Sequence, residues 1–198
     1  MQKALISITV SLLAVATARA YTPEAGDIVF HTSTSAQSAA VQAATHSPYS
    51  HMGVVLLRNG KPMVLEAVQP VKYTELKAWL NRGKGQHYVI KRLKSPLSAS
   101  TSSRLNIEAA KYVGKPYDLT FEWSNDRIYC SELVWKLYKE ATGIELAPLA
   151  RLGSFDLEAP AVKAKLKERY GSSIPTNEPV IAPSAIFESS LLTTVDKR

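Results

Sequence analysis

The stretch HMGVVLLRNGKPMVLEAV, residues 51–68, decides how the rest of the chain is read. Two apolar runs rich in β-branched and straight-chain residues, 51–58 and 61–68, flank Asn59-Gly60. Asn-Gly accepts the positive backbone angles of a two-residue turn whose twist matches paired strands, so a β-hairpin is predicted. A two-residue loop sets Arg58 opposite Lys61 and, counting back, Val55 opposite Val64 and Gly53 opposite Glu66. Side chains alternate along a strand, so His51, Gly53 and Val55 share one face with Val64, Glu66 and Val68. Glu66 is then the diagonal neighbour of His51, at roughly 7–8 Å between backbone positions, within reach of long side chains. A carboxylate in an otherwise apolar strand needs a partner, because burying it unpaired is costly. The hairpin alone therefore predicts a His-Glu pair. Such a pair fixes an imidazole tautomer and stabilises its charged form, as a general base requires; a structural contact on a half-exposed sheet is the alternative.

Outward from the hairpin, Gly26–Phe30 (GDIVF) reads as a strand and Thr34–Thr45 as a helix. Thr74–Arg82 reads as a short helix capped by Thr74 and ended by Gly83 and Gly85, and His87–Leu93 as a further strand. A helix starts in the serine-rich stretch Ser95–Ser103, runs to about Val113 and is closed by Gly114. Cys130–Thr142 is amphipathic, with Leu133, Val134, Leu137 and Tyr138 on one side and Gly143 as its stop. A last helix covers Pro160–Tyr170, and the remainder, with Pro175, Pro179 and Pro183, reads as extended chain. No repeat or linker divides this pattern, and it predicts one α+β domain with an antiparallel sheet packed against helices.

Length and composition bound the function. The 198 residues are enough for one domain with a sizeable core, and 45% apolar with 21% charged residues describes an ordinary globular chain. Residues 1–20 carry Lys3, an apolar run over 4–16 and small residues at Ala18 and Ala20, the pattern of a secretory signal peptide. This predicts an exported, periplasmic protein whose mature domain is 21–198. No other stretch approaches membrane-spanning length. Removing Lys3 and Arg19 from the 24 basic residues leaves 22 against 17 acidic ones, a net charge of +5. That excess is spread out, with no basic-aromatic interleaving, which argues against nucleic-acid binding.

The chain has one cysteine, so no internal disulfide is possible in a protein whose leader directs it to an oxidising compartment. The count leaves two readings open: a reactive thiol, or a buried Cys acting as a small hydrophobe. Position favours the first. Cys130 opens its helix, where unpaired N–H groups and the helix dipole favour a thiolate, and an imidazolium beside it would add to this. Glu132 acts against it if its carboxylate points at the sulfur. A Cys-His-acid set of Cys130, His51 and Glu66 is the arrangement for nucleophilic attack on a carbonyl through an acyl-thioester. Local geometry does not show that Cys130 meets His51 across 79 residues.

Five short motifs in order, Gly26–Phe30 (GDIVF), Tyr49–Gly53 (YSHMG), Glu66-Ala67, Gly114–Asp118 (GKPYD) and Tyr129–Val134 (YCSELV), resemble the YiiX/YaeF-type permuted papain-like amidases over nearly the whole mature chain. The resemblance implies a circularly permuted papain-like fold, with the histidine on a strand preceding a cysteine at a helix start. It implies Cys130 as nucleophile, His51 as base and Glu66 as the third, polar member; the expectation for this chain is that it needs no cofactor or metal. Related NlpC-type cell-wall peptidases usually place Asp before the nucleophile, where Tyr129 stands here, so their substrate does not simply transfer. Tyr117 matches a tyrosine that lies near the site in similar proteins. It is a candidate oxyanion or substrate contact, or a core tyrosine after a helix stop. Tyr49, Ser50 and Trp123 are candidates for lining the cleft.

His31, His46 and His87 form no metal-ligand spacing, and there is no Gly-x-Ser-x-Gly elbow or Ser-x-x-Lys pair. The expectation is a cysteine hydrolase of amidase or peptidase type, acting on a small-molecule, peptide or lipid-derived amide. Two alternatives stand beside it. One is a thiol acyltransferase or lipid-acyl hydrolase on the same site, which a hydrophobic acyl channel would favour. The other is a non-catalytic binding module.

Overall fold

A computed structural model describes residues 20–198; the expected leader, apart from Ala20, lies outside the described residues. Five strands come first: β1 (Ile28–His31), β2 (His51–Arg58), β3 (Lys61–Glu66), β4 (Lys72–Glu75) and β5 (Val89–Leu93). A two-residue ladder of β6 (Ala150–Arg151) and β7 (Pro179–Val180) lies apart, and β8 (Leu192–Lys197) completes the main sheet. The order across that sheet is β4-β3-β2-β1-β5-β8, antiparallel throughout. The hairpin register is the expected one: Arg58 faces Lys61 and Val55 faces Val64. Asn59 and Gly60 both have positive φ, 50° and 73°, as the tight turn demands.

Both faces of the sheet are covered, which is why β1 and the first six residues of β2 are buried without alternation. One face carries Val29, Val55, Val64 and Ile90 and receives Leu76 and Trp79 of α2 (Leu76–Leu80). The opposite face carries Ile28, Phe30, Met52, Val54, Leu56 and Leu65. It packs on Leu105 and Ala109 of α3 (Ala99–Ala110) and on Leu133, Val134, Leu137 and Tyr138 of α4 (Cys130–Thr142). Each fully buried apolar side chain contributes roughly 1.5–3 kcal/mol. The apolar side of α4 thus fixes that helix on the sheet, and with it the position of Cys130, its first residue. Gly143, at φ 78°, ends α4 as expected. Away from the sheet, α1 (Ser38–Thr45) packs on α5 (Pro160–Tyr170) around Ala40, Val162 and Leu166, and α6 (Pro183–Phe187) precedes β8.

Asp27, from the first motif, is fully buried and structural. It receives Arg92 through Nε at 2.6 Å and Nη2 at 2.8 Å, the Tyr21 hydroxyl at 2.6 Å and the Glu24 amide at 2.9 Å, tying residues 21–24 to the sheet.

Two local expectations are corrected. Thr74 does not cap a helix: Lys72–Glu75 pairs with Met63–Glu66 as β4, and α2 begins only at Leu76. The Thr74 hydroxyl is drawn to Glu66 Oε1 at 2.6 Å, a stronger partner than a helix-end amide. The C-terminal stretch is extended as expected in β7 and in the edge strand β8, paired with β5, but it also supplies the short helix α6.

Candidate active site

Glu66 ends β3 with no exposed surface. Gly53 lies beside it on β2: a Cβ placed there would come 2.5 Å from Val64 Cγ1 and 2.7 Å from the Leu65 carbonyl oxygen. The glycine is required by close approach rather than by its backbone angles. It leaves room for His51, two residues earlier on the same face, to reach Glu66, with Nε2 to Oε2 at 2.7 Å. The pair expected from the hairpin is present.

Glu66 holds more than His51. Thr74 donates to Oε1, Trp79 Nε1 donates to Oε2 at 2.9 Å, and Arg82 Nη2 pairs with the same oxygen. Burial disfavours the carboxylate, but hydrogen bonds from His51, Arg82 and Thr74 outweigh it and hold the Glu66 pKa well below the usual range. Sequence reading missed these three donors. Thr74 has the residue type of a helix cap, and Trp79 and Arg82 carry no motif.

Cys130 meets His51 where the sheet ends. Cys130, 4% exposed, lies beside the His51 ring, close enough to act on its charge. Nε2 is committed to Glu66, so Nδ1 is the ring nitrogen that faces the thiol. Burial opposes a charged His51, yet hydrogen bonds to Cys130 and Glu66 outweigh it and raise its pKa from 6.5 to about 9. The site therefore favours a protonated His51, a proton donor at rest rather than an empty base. His31 faces His51 across β1 and β2, with ring centroids 5.3 Å apart, and stacks on Trp79 at 4.1 Å. Burial, then the charges of His51 and Arg82, push the His31 pKa down to about 3, so it walls the site as a neutral ring.

Glu132 does not point at the sulfur. Its Oε2 accepts from the Tyr129 amide at 3.3 Å and its Oε1 pairs with Lys136 at 2.8 Å. Burial raises its pKa to about 7 against the pull of Lys136. Tyr129 is equally occupied, its hydroxyl accepting from the Ile181 amide at 3.1 Å.

Tyr117 lies with Cys130 in the wall of one cavity. Burial and the neighbouring Cys130 charge raise its pKa, which keeps the phenol protonated. Its oxygen accepts from Gln37 Nε2 at 3.1 Å, which leaves its proton free to be donated elsewhere. Gln37 Oε1 in turn accepts from Arg169 Nη2 at 2.7 Å. Neither Gln37 nor Arg169 was legible in the sequence. Of the other lining candidates, Ser50 borders the site, whereas Tyr49 stacks on Phe187 at 4.1 Å and Trp123 packs edge-on against Trp135 at 5.4 Å.

Two spaces meet here. One is a cavity of about 100 Å³ with almost wholly apolar walls, including Val41, Phe121, Cys130, Leu152, Val162 and Leu166. The other is a cleft of about 760 Å³, more polar than the cavity though still largely apolar, bordered by His31, His51 and Arg82 and sharing Tyr117 and Arg169 with the cavity. Buried Cys, His and Glu in hydrogen-bonded series, opening on two spaces, can attack a carbonyl and pass a proton to what leaves.

The whole described fold, from residue 22 to residue 196, matches the family model of the permuted papain-like amidases YaeF/YiiX, C92 family. The chain belongs to that family. It is 50% identical over 190 residues to YiiX of Escherichia coli strain K12, a relative described as uncharacterized, covering 96% of this chain and 94% of that one. The crystal structure of metalloprotein YiiX from Escherichia coli O157:H7 superposes with a TM-score of 0.88 at 50% identity, covering 90% of this chain and 99% of that one. The permuted papain-like fold expected from the five motifs is thereby shown, and the chain is an amidase of papain-like type at family level.

Proposed function

We propose that this YaeF/YiiX-family chain hydrolyses an amide or related acyl bond through a thioester on Cys130. The observation that supports it is the buried series Cys130–His51–Glu66, in which one imidazole bonds a carboxylate and stands beside the thiol. The Cys130 thiolate attacks the carbonyl carbon, forming the C–S bond and an oxyanion. The Cys130 backbone N–H and the Tyr117 hydroxyl are the donors available to that oxyanion. Collapse breaks the scissile bond, and the leaving nitrogen or oxygen takes the proton of the His51 imidazolium. Neutral His51 then removes a proton from water as its oxygen attacks the thioester. The C–S bond breaks, the acid departs, and thiolate and imidazolium are restored. Glu66 fixes the ring so that Nδ1 faces the sulfur, and it stabilises the charged state.

The apolar cavity beside Cys130 favours a second statement about the same step: the acyl group is itself apolar, as in a lipid-derived acyl compound. Water and an acceptor amine then compete for the same acyl-cysteine. The solved relative is called a metalloprotein; in this chain no three His, Cys, Asp or Glu side chains among the described residues converge as a metal site needs. The reading also places the enzyme in the periplasm after loss of residues 1–20, where its lone cysteine has no internal disulfide partner. Among the described residues no helix is long and apolar enough to cross a membrane.

The test is alkylation of Cys130 by iodoacetamide against pH, together with mass spectrometry after exposure to acyl p-nitroanilides and p-nitrophenyl esters of rising chain length. Rapid alkylation well below pH 8, slowed in His51→Ala, and an acyl adduct on Cys130 support the reading. A thiol of ordinary reactivity, unaffected by His51→Ala and carrying no adduct, would replace it with a binding module.

A further inference from the structure

The two spaces at the site are not equivalent, and the difference assigns the two halves of the substrate. Cys130 borders the apolar cavity, whereas His51 borders the wider and more polar cleft. The acyl carbon stays bonded to sulfur, and the leaving group must take its proton from His51. The acyl half therefore belongs to the cavity and the leaving half to the cleft.

The charges on the cleft are not balanced. Arg82 and Glu168 border the cleft alone, whereas Lys165 and Arg169, with Gln37 and Tyr117, stand on the boundary it shares with the apolar cavity. Arg82 is paired with Glu66, and Lys165 with Glu168 at 2.6 Å. Arg169 is different. Its Nη2 donates to a neutral amide oxygen of Gln37, its guanidinium lies over the Phe121 ring at 5.1 Å, and its buried Nε meets no acceptor. Among the described residues no carboxylate lies within ion-pairing distance of it. A half-buried guanidinium without a counter-charge is unfavourable unless a ligand supplies one. Gln37 connects it directly to Tyr117, so this cation stands one side chain away from the reacting atoms.

Resting on the proposed hydrolysis, we infer that Arg169, at the boundary of the two spaces, selects substrates whose leaving half carries an anion close to the scissile bond. The substrate class is an apolar acyl group joined to an anionic amine or alcohol. The anion is a carboxylate, as in an N-acyl amino acid, or a phosphate, as in an acylated phosphoamine or lipid headgroup. Guanidinium forks suit both.

The experiment measures binding to Cys130→Ala, which needs no turnover, and kcat/KM with the intact enzyme. N-octanoylglycine is compared with neutral N-octanoylglycinamide, and N-octanoyl phosphoethanolamine with neutral N-octanoylethanolamine. The anionic member of at least one pair should bind about ten- to a hundredfold better, in line with a charge-assisted hydrogen bond. The better pair identifies the anion. Arg169→Gln should collapse that ratio and Arg169→Lys should keep part of it; a guanidinium that only packs on Phe121 would leave the ratio unmoved. Equal binding within both pairs, or a ratio that survives Arg169→Gln in protein shown to be folded, overturns the inference. Because the binding arm is independent of catalysis, a preference for the anion without turnover would count against the hydrolysis and not against Arg169.

Discussion

Replacing Glu66 with glutamine keeps the shape of the buried cluster and removes its negative charge. Glu66 has no exposed surface and accepts from His51, Thr74, Trp79 and Arg82. The His51 pKa stands at about 9 instead of 6.5, with hydrogen bonds to Cys130 and Glu66 overcoming burial. At 1.36 kcal/mol per unit, that rise is roughly 3 kcal/mol in favour of the imidazolium. Glu66 is one of its two main sources, so Glu66→Gln should lower the His51 midpoint by about one unit or more. The change also strips two buried or half-buried cations of their partner. Breaking a buried pair costs about 3–5 kcal/mol, and the lower end applies because solvent screens part of the Arg82 contribution. Arg82 is 40% exposed. At about 2–4 °C per kcal/mol for a chain of this size, Tm should fall by roughly 6–12 °C. NMR titration of the histidine rings, with His51 assigned by its absence in His51→Ala, reads the midpoint, and calorimetry reads Tm. An unchanged His51 midpoint in folded Glu66→Gln protein would refute the claim that this carboxylate holds the charge.

Three further outcomes are expected. The raised His51 pKa contributes stability that is present below pH 6.5 and lost as pH rises through about 9, so urea midpoints of the wild type should decline over that window and those of His51→Gln should decline less. Gly53→Ala forces its methyl against Val64 Cγ1 and the Leu65 carbonyl oxygen, so it should lower Tm by several degrees and weaken the His51–Glu66 contact, read as a lower His51 midpoint. Tyr117→Phe removes one candidate oxyanion donor while the Cys130 N–H remains; kcat should drop about tenfold or more with KM little changed, and an unaltered kcat would assign Tyr117 to packing alone.

The hairpin was legible because its information is local. Asn59-Gly60 fixes the turn, the turn fixes the register, and the register puts His51 and Glu66 on one face. Cys130 was legible as a helix start because Leu133, Val134, Leu137 and Tyr138 repeat on one side and Gly143 stops the run. The meeting of these two units was not readable from periodicity; it follows from α4 packing on the sheet, and the family motifs anticipated it. The donors on Glu66 were missed for a related reason. Thr74 looks like a helix cap because the signal for a cap is one residue type, whereas the pairing of Lys72–Glu75 with β3 depends on a partner strand. Gln37 and Arg169 come together across 132 residues through the packing of α1 on α5, and nothing local marks either. The strand β8 is an edge, half of it exposed, so its alternation is weak and its neighbouring prolines dominate the reading.

The distance in sequence between His51 and Cys130 has a consequence for the timing of activity. In an unfolded chain the thiol has no imidazolium, no helix N-terminus and no apolar wall, and behaves like any other cysteine. The reactive pair comes into being only when contacts of long sequence separation close, which is among the later and slower events of folding. A nascent chain is thereby silent toward acyl compounds it passes. Competence arrives together with burial of the sulfur, so the fold itself does the work that a removable inhibitory segment does elsewhere.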